Sequence, residues 1–296
     1  MISQDPLAYL LGLEGIALLD AWAGDYDRAF TEARLAEIRR LLDDEQLRDR
    51  GVLVEQVSTA TVYGQASAGY DADAGGGLFA VDEPVVAEYL AGREPGVALD
   101  AACGTGRFAG FLARRGHLVI GVDSSPDMLA HARQRVPEAG FHVAELDRLP
   151  LPDDCVDVIV CALALDHVAR LDPVLAEFAR VLRPGGDLVI SDIHHELLTR
   201  GSAMTARGPA GEPRIAPSCR HQLGDYLRAA LSVGLQVRRC EEPRVARGDE
   251  PPAEPAAGIG DWQDWPFSLG DYLPSAARAA GGRPHLVIWH FQLPAG

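Results

Sequence analysis

The residues whose spacing suggests chemistry begin at Asp100, Gly104 and Gly106, inside the run VALDAACGTGR from Val97 to Arg107. Val97 to Ala101 is a short apolar stretch with no charge before Asp100, the pattern of a central parallel strand covered on both faces. Gly104 and Gly106 carry no Cβ, so the chain can turn tightly there and approach a ligand closely. A helix from about Thr105 to Arg114 follows, and its unpaired first N–H groups favour a carboxylate or phosphate. The next strand, His117 to Val122, runs into Asp123, whose carboxylate is placed to accept two hydrogen bonds from a ribose diol. This is a nucleotide-type site. Two cofactor classes fit it, dinucleotides and S-adenosylmethionine.

The run GTGRFA matches the loose G-x-G-x-x-A pattern, which alone does not separate the two classes. Joined to GVDSSPDML, AELDRLPLPDDCVDVIVCALALDHV and VLRPGGDLVISD in that order and spacing, it resembles the class I S-adenosylmethionine-dependent methyltransferases. The nearest likeness is to the small-molecule branch typified by ubiquinone and menaquinone biosynthesis enzymes. The resemblance covers Asp82 to Asp192, and more weakly Cys219 to Pro243 and Leu286 to Leu293.

It implies S-adenosylmethionine as cofactor, held by Asp100, Ala102, Gly104, Gly106, Asp123, Ser124, Met128, Glu145, Leu146 and a backbone contact at Cys161. Asp100 would organise the glycine loop and the cofactor's amino group, and Asp123 the ribose hydroxyls. Glu145 would accept from the adenine amino group, with a longer reach than the family's usual Asp, and the Leu146 N–H would meet a ring nitrogen. Tyr63 and Tyr70 echo a paired-tyrosine segment that folds over the cofactor in such enzymes; a flexible linker around the glycines Gly75 to Gly77 is the competing reading. Methyl transfer is an in-line displacement at an activated carbon, so alignment and exclusion of water are the main requirements. A hydroxyl acceptor benefits from a base near neutral pKa. His167, in LALDHV past the fourth strand, is the first candidate; His194, with His195 in SDIHH past the fifth, is the second. Relatives often carry two adjacent histidines at the first position, where this chain has Asp166-His167. An ordinary histidine hydrogen bond is the alternative at each.

These residues need a scaffold. From Gly96 onward strands and helices alternate, predicting a doubly wound, seven-stranded, mostly parallel Rossmann-like sheet with an antiparallel last strand. Strands are expected at Phe141 to Ala144, Val156 to Cys161, Asp187 to Ser191, Gly234 to Arg239 and Leu286 to Leu293. Helices are expected at Asp82 to Leu90, from Ser125-Pro126, from Asp172 to about Leu182, and at Leu223 to Ala230. Thr199 to Ser218 reads as a loop near a substrate mouth. Pro6 to Trp22 and Tyr26 to Leu42, the latter capped by Asp25, form an N-terminal helical extension. The domains read as 1–56 (helical extension), 57–81 (cofactor-covering segment or linker) and 82–296 (methyltransferase domain), with a mobile insertion at about 244–270. Its aromatic run, Asp261 to Phe267, serves either as a substrate lid or as an anchor.

Composition sets limits. With 296 residues and 47% apolar content, the chain can bury a sizeable core. A net charge of −16 argues against nucleic acid, which wants a basic stripe. Five cysteines without C-x-x-C spacing read as reduced thiols rather than disulfides or a metal site. The N-terminus lacks a basic leader, and no apolar run reads as a membrane span, which points to the cytoplasm. The expected partner is a small-molecule methyl acceptor, with homodimerisation through the N-terminal helices as a further option. The competing functions are an NAD-dependent oxidoreductase and a non-methylating S-adenosylmethionine-binding protein, cyclase-like or regulatory.

Overall fold

The computed structural model describes residues 1–67, 69–70, 77–244 and 254–295. The chain opens with β1 (Ile2–Gln4), α1 (Pro6–Ala23), α2 (Arg28–Leu42), β2 (Val52–Gln56), α3 (Thr59–Ala66) and α4 (Phe79–Tyr89). It continues through β3 (Val97–Ala101), α5 (Arg107–Ala113), β4 (Leu118–Asp123), α6 (Pro126–Arg135), β5 (Gly140–Val143) and β6 (Val156–Ala162). Then come α7 (Leu171–Val181), β7 (Leu182–Ile193), α8 (His195–Thr199), β8 (Thr205–Arg207) and β9 (Pro213–Ile215). The last are α9 (Leu223–Ser232), β10 (Gln236–Glu241), α10 (Phe267–Tyr272), α11 (Pro274–Ala279) and β11 (Leu286–Gln292).

These elements form two compact units. The larger comprises residues 57–204, 216–243 and 284–296. Its seven-stranded sheet has the order β10-β11-β7-β6-β3-β4-β5. β11 pairs antiparallel with both β10 and β7, and the other pairs are parallel. Alternate residues of the central strands point to opposite faces. Leu99, Ile159 and Leu188 pack with α7 and α9, while Ala98, Val158 and Val189 pack with α4 and α5. Both faces are covered, which is why these strands read as unbroken apolar runs. Strand order reverses between β3 and β6, the place where open α/β sheets leave a crevice at their carboxyl ends.

The helix before the sheet begins at Phe79, not Asp82, and Asp82 lies inside it as the buried ion-pair partner of Arg107. Pro84 therefore lies within that helix, where it forfeits one backbone bond. The helix after the glycine turn starts at Arg107, two residues later than expected. Ser125 caps α6, its Oγ accepting from Met128 N at 3.3 Å.

The smaller unit comprises residues 1–56, 205–215 and 244–283, so the N-terminal segment is completed by two later stretches and is not purely helical. It holds a four-stranded sheet of order β1-β2-β9-β8. Part of the expected loop 199–218 is thus a hairpin, β8 and β9, with β9 parallel to β2; strands of three residues carry no readable alternation. Asp27, not Asp25, caps α2 by accepting from Phe30 N at 2.8 Å, because Gly24 (φ 104°) ends α1 in a left-handed turn that Asp25 continues. The expectation about membrane spans is corrected: α1, with 18 residues and mean hydropathy 1.3, is long and apolar enough to cross a membrane. Within the unit it instead carries two paired acids, Glu14 with Arg34 and Asp20 with Arg283.

Of the expected mobile insertion, residues 245–253 lie outside the described residues, as does the Asp71–Gly76 part of the covering segment. The aromatic run is anchored inside the smaller unit. Trp262 is buried and its Nε1 donates to Gln4 Oε1 at 2.6 Å; Trp265 Nε1 donates to Ile259 O at 3.0 Å.

Candidate functional site

The loops that leave the carboxyl ends of β3, β4, β5 and β6 enclose a cavity of about 740 Å3. Ala102 and Gly104 follow β3, Asp123 ends β4 with Ser124 and Ser125 after it, and Ala144 to Asp147 follow β5. Ala162 to Ala164 and His167 to Arg170 come from β6 and the turn beyond it. Thr59, Ala60, Tyr63 and Tyr70 supply a further wall.

The glycine loop needs its glycines for different reasons. Gly106 has φ +83°, and a Cβ there would sit 3.1 Å from Ala132 Cβ. Gly104 has φ +53°, and a Cβ there would make only ordinary contact with Met128. Ala102 and Leu163, each one residue beyond or near the end of a strand on the cavity, also have positive φ, 57° and 54°. Non-glycine residues in that region store strain of about 1–3 kcal/mol and cluster at functional sites.

Asp123 holds the loop. Its Oδ2 accepts from Gly104 N at 2.8 Å and its Oδ1 from Ser125 N at 2.8 Å. Burial raises its carboxyl above the usual range, against those backbone bonds. Asp100 is buried and its Oδ2 accepts from Ala109 N at 2.6 Å, tying strand to helix; burial pushes its carboxyl up to about 7. A buried clamp supports the loop from behind. Arg107 grips Asp82 through two bonds of 2.7 Å while its guanidinium lies over the rings of Phe79 and Phe108.

At the β6 end, both nitrogens of the His167 ring are hydrogen-bonded. Its Nδ1–H donates to Pro217 O at 2.8 Å, the only role open to a ring nitrogen facing a carbonyl. That leaves Nε2 as an acceptor, 3.0 Å from the Tyr63 hydroxyl, which donates to it. Two backbone bonds fix the turn: Cys219 N donates to Asp166 O, and His221 Nε2 donates to Val168 O at 2.7 Å. Burial lowers the His167 pKa below the ordinary histidine value and raises the Tyr63 phenol well above its own. Burial therefore favours the neutral ring, whose Nε2 accepts from the Tyr63 hydroxyl beside the cavity.

Residues 99–190 match the family model described as a methyltransferase domain. Over that stretch the chain carries a methyltransferase-type domain. Its relatives include a malonyl-(acyl-carrier protein) O-methyltransferase of Serratia marcescens, 32% identical over 146 residues, 47% of this chain and 54% of that protein. Another is the methyltransferase GfsG of Streptomyces halstedii, 42% identical over 102 residues, 32% of this chain and 37% of that protein. The chain thus spans between about a third and a half of the curated relatives' length. Among solved structures, the 4+2 cyclase SpnF superimposes with a TM-score of 0.56 at 20% identity, over 83% of this chain and 99% of that one. At that identity the likeness establishes the fold alone.

The residues of the methyltransferase domain fit its cofactor, S-adenosylmethionine. The cavity is within the usual range for a ligand of this size. Its acceptors, Asp123 and Glu145, suit hydroxyl and amino donors, and its carboxylates and tyrosine rings suit a sulfonium cation. Of the residues anticipated from sequence, Tyr63, Tyr70, Ala102, Gly104, Asp123, Ser124, Met128, Glu145, Leu146 and His167 line the cavity.

Four others are elsewhere. Asp100 faces a smaller neighbouring cavity of about 40 Å3, and Gly106 packs on α6. Cys161 is fully buried in the sheet; β6 runs one residue further, so Ala162 and Leu163 are the residues at its open end. His194 is buried, its Nε2 donating to Glu242 Oε1 at 2.9 Å while its Nδ1 accepts from Glu196 N at the start of α8.

Sequence reasoning missed Arg170, Pro173 and Val174 in the cavity wall, the Asp82–Arg107 clamp, and Pro217 behind His167. An arginine closing the glycine motif and an acid within an apolar helix were the only signals for the clamp.

Proposed function

We propose that this protein transfers a methyl group from S-adenosylmethionine to an oxygen or nitrogen of a small molecule, with carbon a less favoured acceptor. When bound, the cofactor supplies a methyl carbon already activated by its sulfonium. The chain's residues would then bind, align and deprotonate. Asp123 would accept from the ribose hydroxyls and Glu145 from the adenine amino group. Ala102 and Gly104 would line the methionyl end, beside Tyr63 and Tyr70, which would exclude water. His167 Nε2 would take the acceptor's proton, and Pro217 would keep the imidazole in the tautomer able to do so.

The carrying observation is that one cavity joins the Asp123 loop to a histidine with an unprotonated Nε2. An oxygen acceptor has further support from the Serratia relative, whose name specifies O-methylation. Five free cysteines suit a reducing compartment such as the cytosol.

The test is calorimetric titration with S-adenosylmethionine and adenosylhomocysteine, followed by a screen for adenosylhomocysteine release with small hydroxyl, amine and carboxylate acceptors. Both ligands should saturate the native protein, and Asp123→Ala should lose both while remaining folded. Absence of binding to folded protein would sink the reading. Binding of both without turnover of any acceptor would favour a protein that uses the cofactor without methylation.

A further inference from the structure

The charges around the cavity are unevenly spread. Asp123, Glu145 and Asp147 stand after β4 and β5. Arg170, between the His167 turn and α7, is the single arginine or lysine among the described residues lining the cavity. Its guanidinium makes no hydrogen bond or ion pair with any described residue, neither with those acids nor with Asp172 in the first turn of α7. Five donors therefore remain open at the mouth of a site whose nearby wall, Val168, Pro173 and Val174, is apolar.

We propose that Arg170 anchors an oxyanion of the methyl acceptor, so that the substrate is an anionic small molecule with an apolar body. The proposal rests on the methyltransferase reading and adds the substrate class. A carboxylate or phosphate matches the planar fork of a guanidinium, which binds either in a bidentate manner. The carboxylates at the other end repel such a group, so the molecule enters in one orientation. His167 lies three residues before Arg170 and lines the same cavity, so an acceptor held at Arg170 is kept in the space beside the Tyr63–His167 pair.

The experiment uses the full chain saturated with adenosylhomocysteine, titrated with benzoate, phenyl phosphate and uncharged benzamide, in the native form and as Arg170→Gln. At least one anion should bind more tightly than benzamide. Its affinity should fall about fivefold in the variant, the loss expected for one exposed charge pair, and should fall with added salt. Benzamide and adenosylhomocysteine should be unaffected by the substitution. The stronger of the two anions identifies the headgroup. Anions that bind no better than benzamide, or equally well to both proteins, would overturn the proposal. Failure of adenosylhomocysteine to bind either protein would count against the methyltransferase reading instead, and the anion titrations still decide the Arg170 site on the unliganded protein.

Discussion

The hydroxyl of Tyr63 donates to Nε2 of His167 across 3.0 Å, and the opposite nitrogen of the same ring donates to the carbonyl of Pro217. The two bonds fix one tautomer. They also place a phenol on the nitrogen that the proposed reaction would use as its base. The high Tyr63 pKa, caused first by burial, keeps that phenol a donor and never a competing base.

This relationship predicts a pH signature. In the native protein Nε2 should be unprotonated at pH 7, and the His167 midpoint should lie below the ordinary histidine value because burial lowers it. Tyr63→Phe removes the hydroxyl that bonds Nε2, so the midpoint should shift. Nitrogen NMR of the imidazole checks both without any acceptor. With an acceptor hydroxyl, His167→Asn should reduce turnover by about 10²- to 10⁴-fold while adenosylhomocysteine binds as before. An unchanged midpoint in the phenylalanine variant would break the argument.

The two glycines of the loop should respond differently to alanine. Gly106→Ala adds a Cβ 3.1 Å from Ala132 at a φ of +83°, with backbone also 3.2 Å away, so something must shift. Gly104→Ala meets only the flexible end of Met128 at 3.6 Å and carries the left-handed penalty alone, about 1–2 kcal/mol. Chemical denaturation should show the larger loss for Gly106→Ala, with the order preserved in adenosylhomocysteine affinity. Equal losses would mean that the loop relaxes freely.

Much of the catalytic scaffold was legible because its signals are local. Asp100, Gly104, Asp123 and the apolar strands announce themselves within short windows, and the antiparallel β11 falls where the family pattern puts it. What was missed depends on distant partners. Pro217 fixes the His167 tautomer from fifty residues away, and nothing in its own neighbourhood marks it. The sheet of the smaller unit joins β1 and β2 to a hairpin more than a hundred and fifty residues later, through strands too short for periodicity. His194 looked catalytic because it follows a strand end, yet a bond to Glu242 and a capping contact account for it.

Asp100 should make stability depend on pH. Its folded carboxyl, pushed up to about 7 by burial, lies above the 3.8 of an unperturbed aspartate. The folded state therefore binds more protons between those values, and stability falls as pH rises through that window. Asp100→Asn removes the titration while its amide oxygen can still accept from Ala109 N. The variant's melting temperature relative to native protein should rise from pH 5 to pH 8. A constant difference would show that Asp100 is ionised at no extra cost.

The smaller unit offers a test of a buried ion pair. Glu14, with no exposed surface, sits 2.9 Å from Arg34 Nη1, yet Glu14 Oε2 and Arg34 Nε have no hydrogen-bond partner. Desolvation outweighs the attraction of Arg34 and pushes the Glu14 carboxyl up to about 7. Arg34→Met would strand that carboxylate and should cost about 3 kcal/mol at pH 8, whereas Glu14→Leu with Arg34→Met should recover most of the loss. Because the folded pKa exceeds the unfolded 4.5, the Glu14 contribution is favourable at low pH and fades as pH rises through about 7. The cost of Arg34→Met should accordingly shrink at pH 5, where Glu14 is protonated and no charge is stranded. Denaturation of the two variants at both pH values decides the point: a cost that does not change with pH, or a double variant no better than the single one, would mean that Arg34 stabilises α1 and α2 by packing rather than by neutralising Glu14.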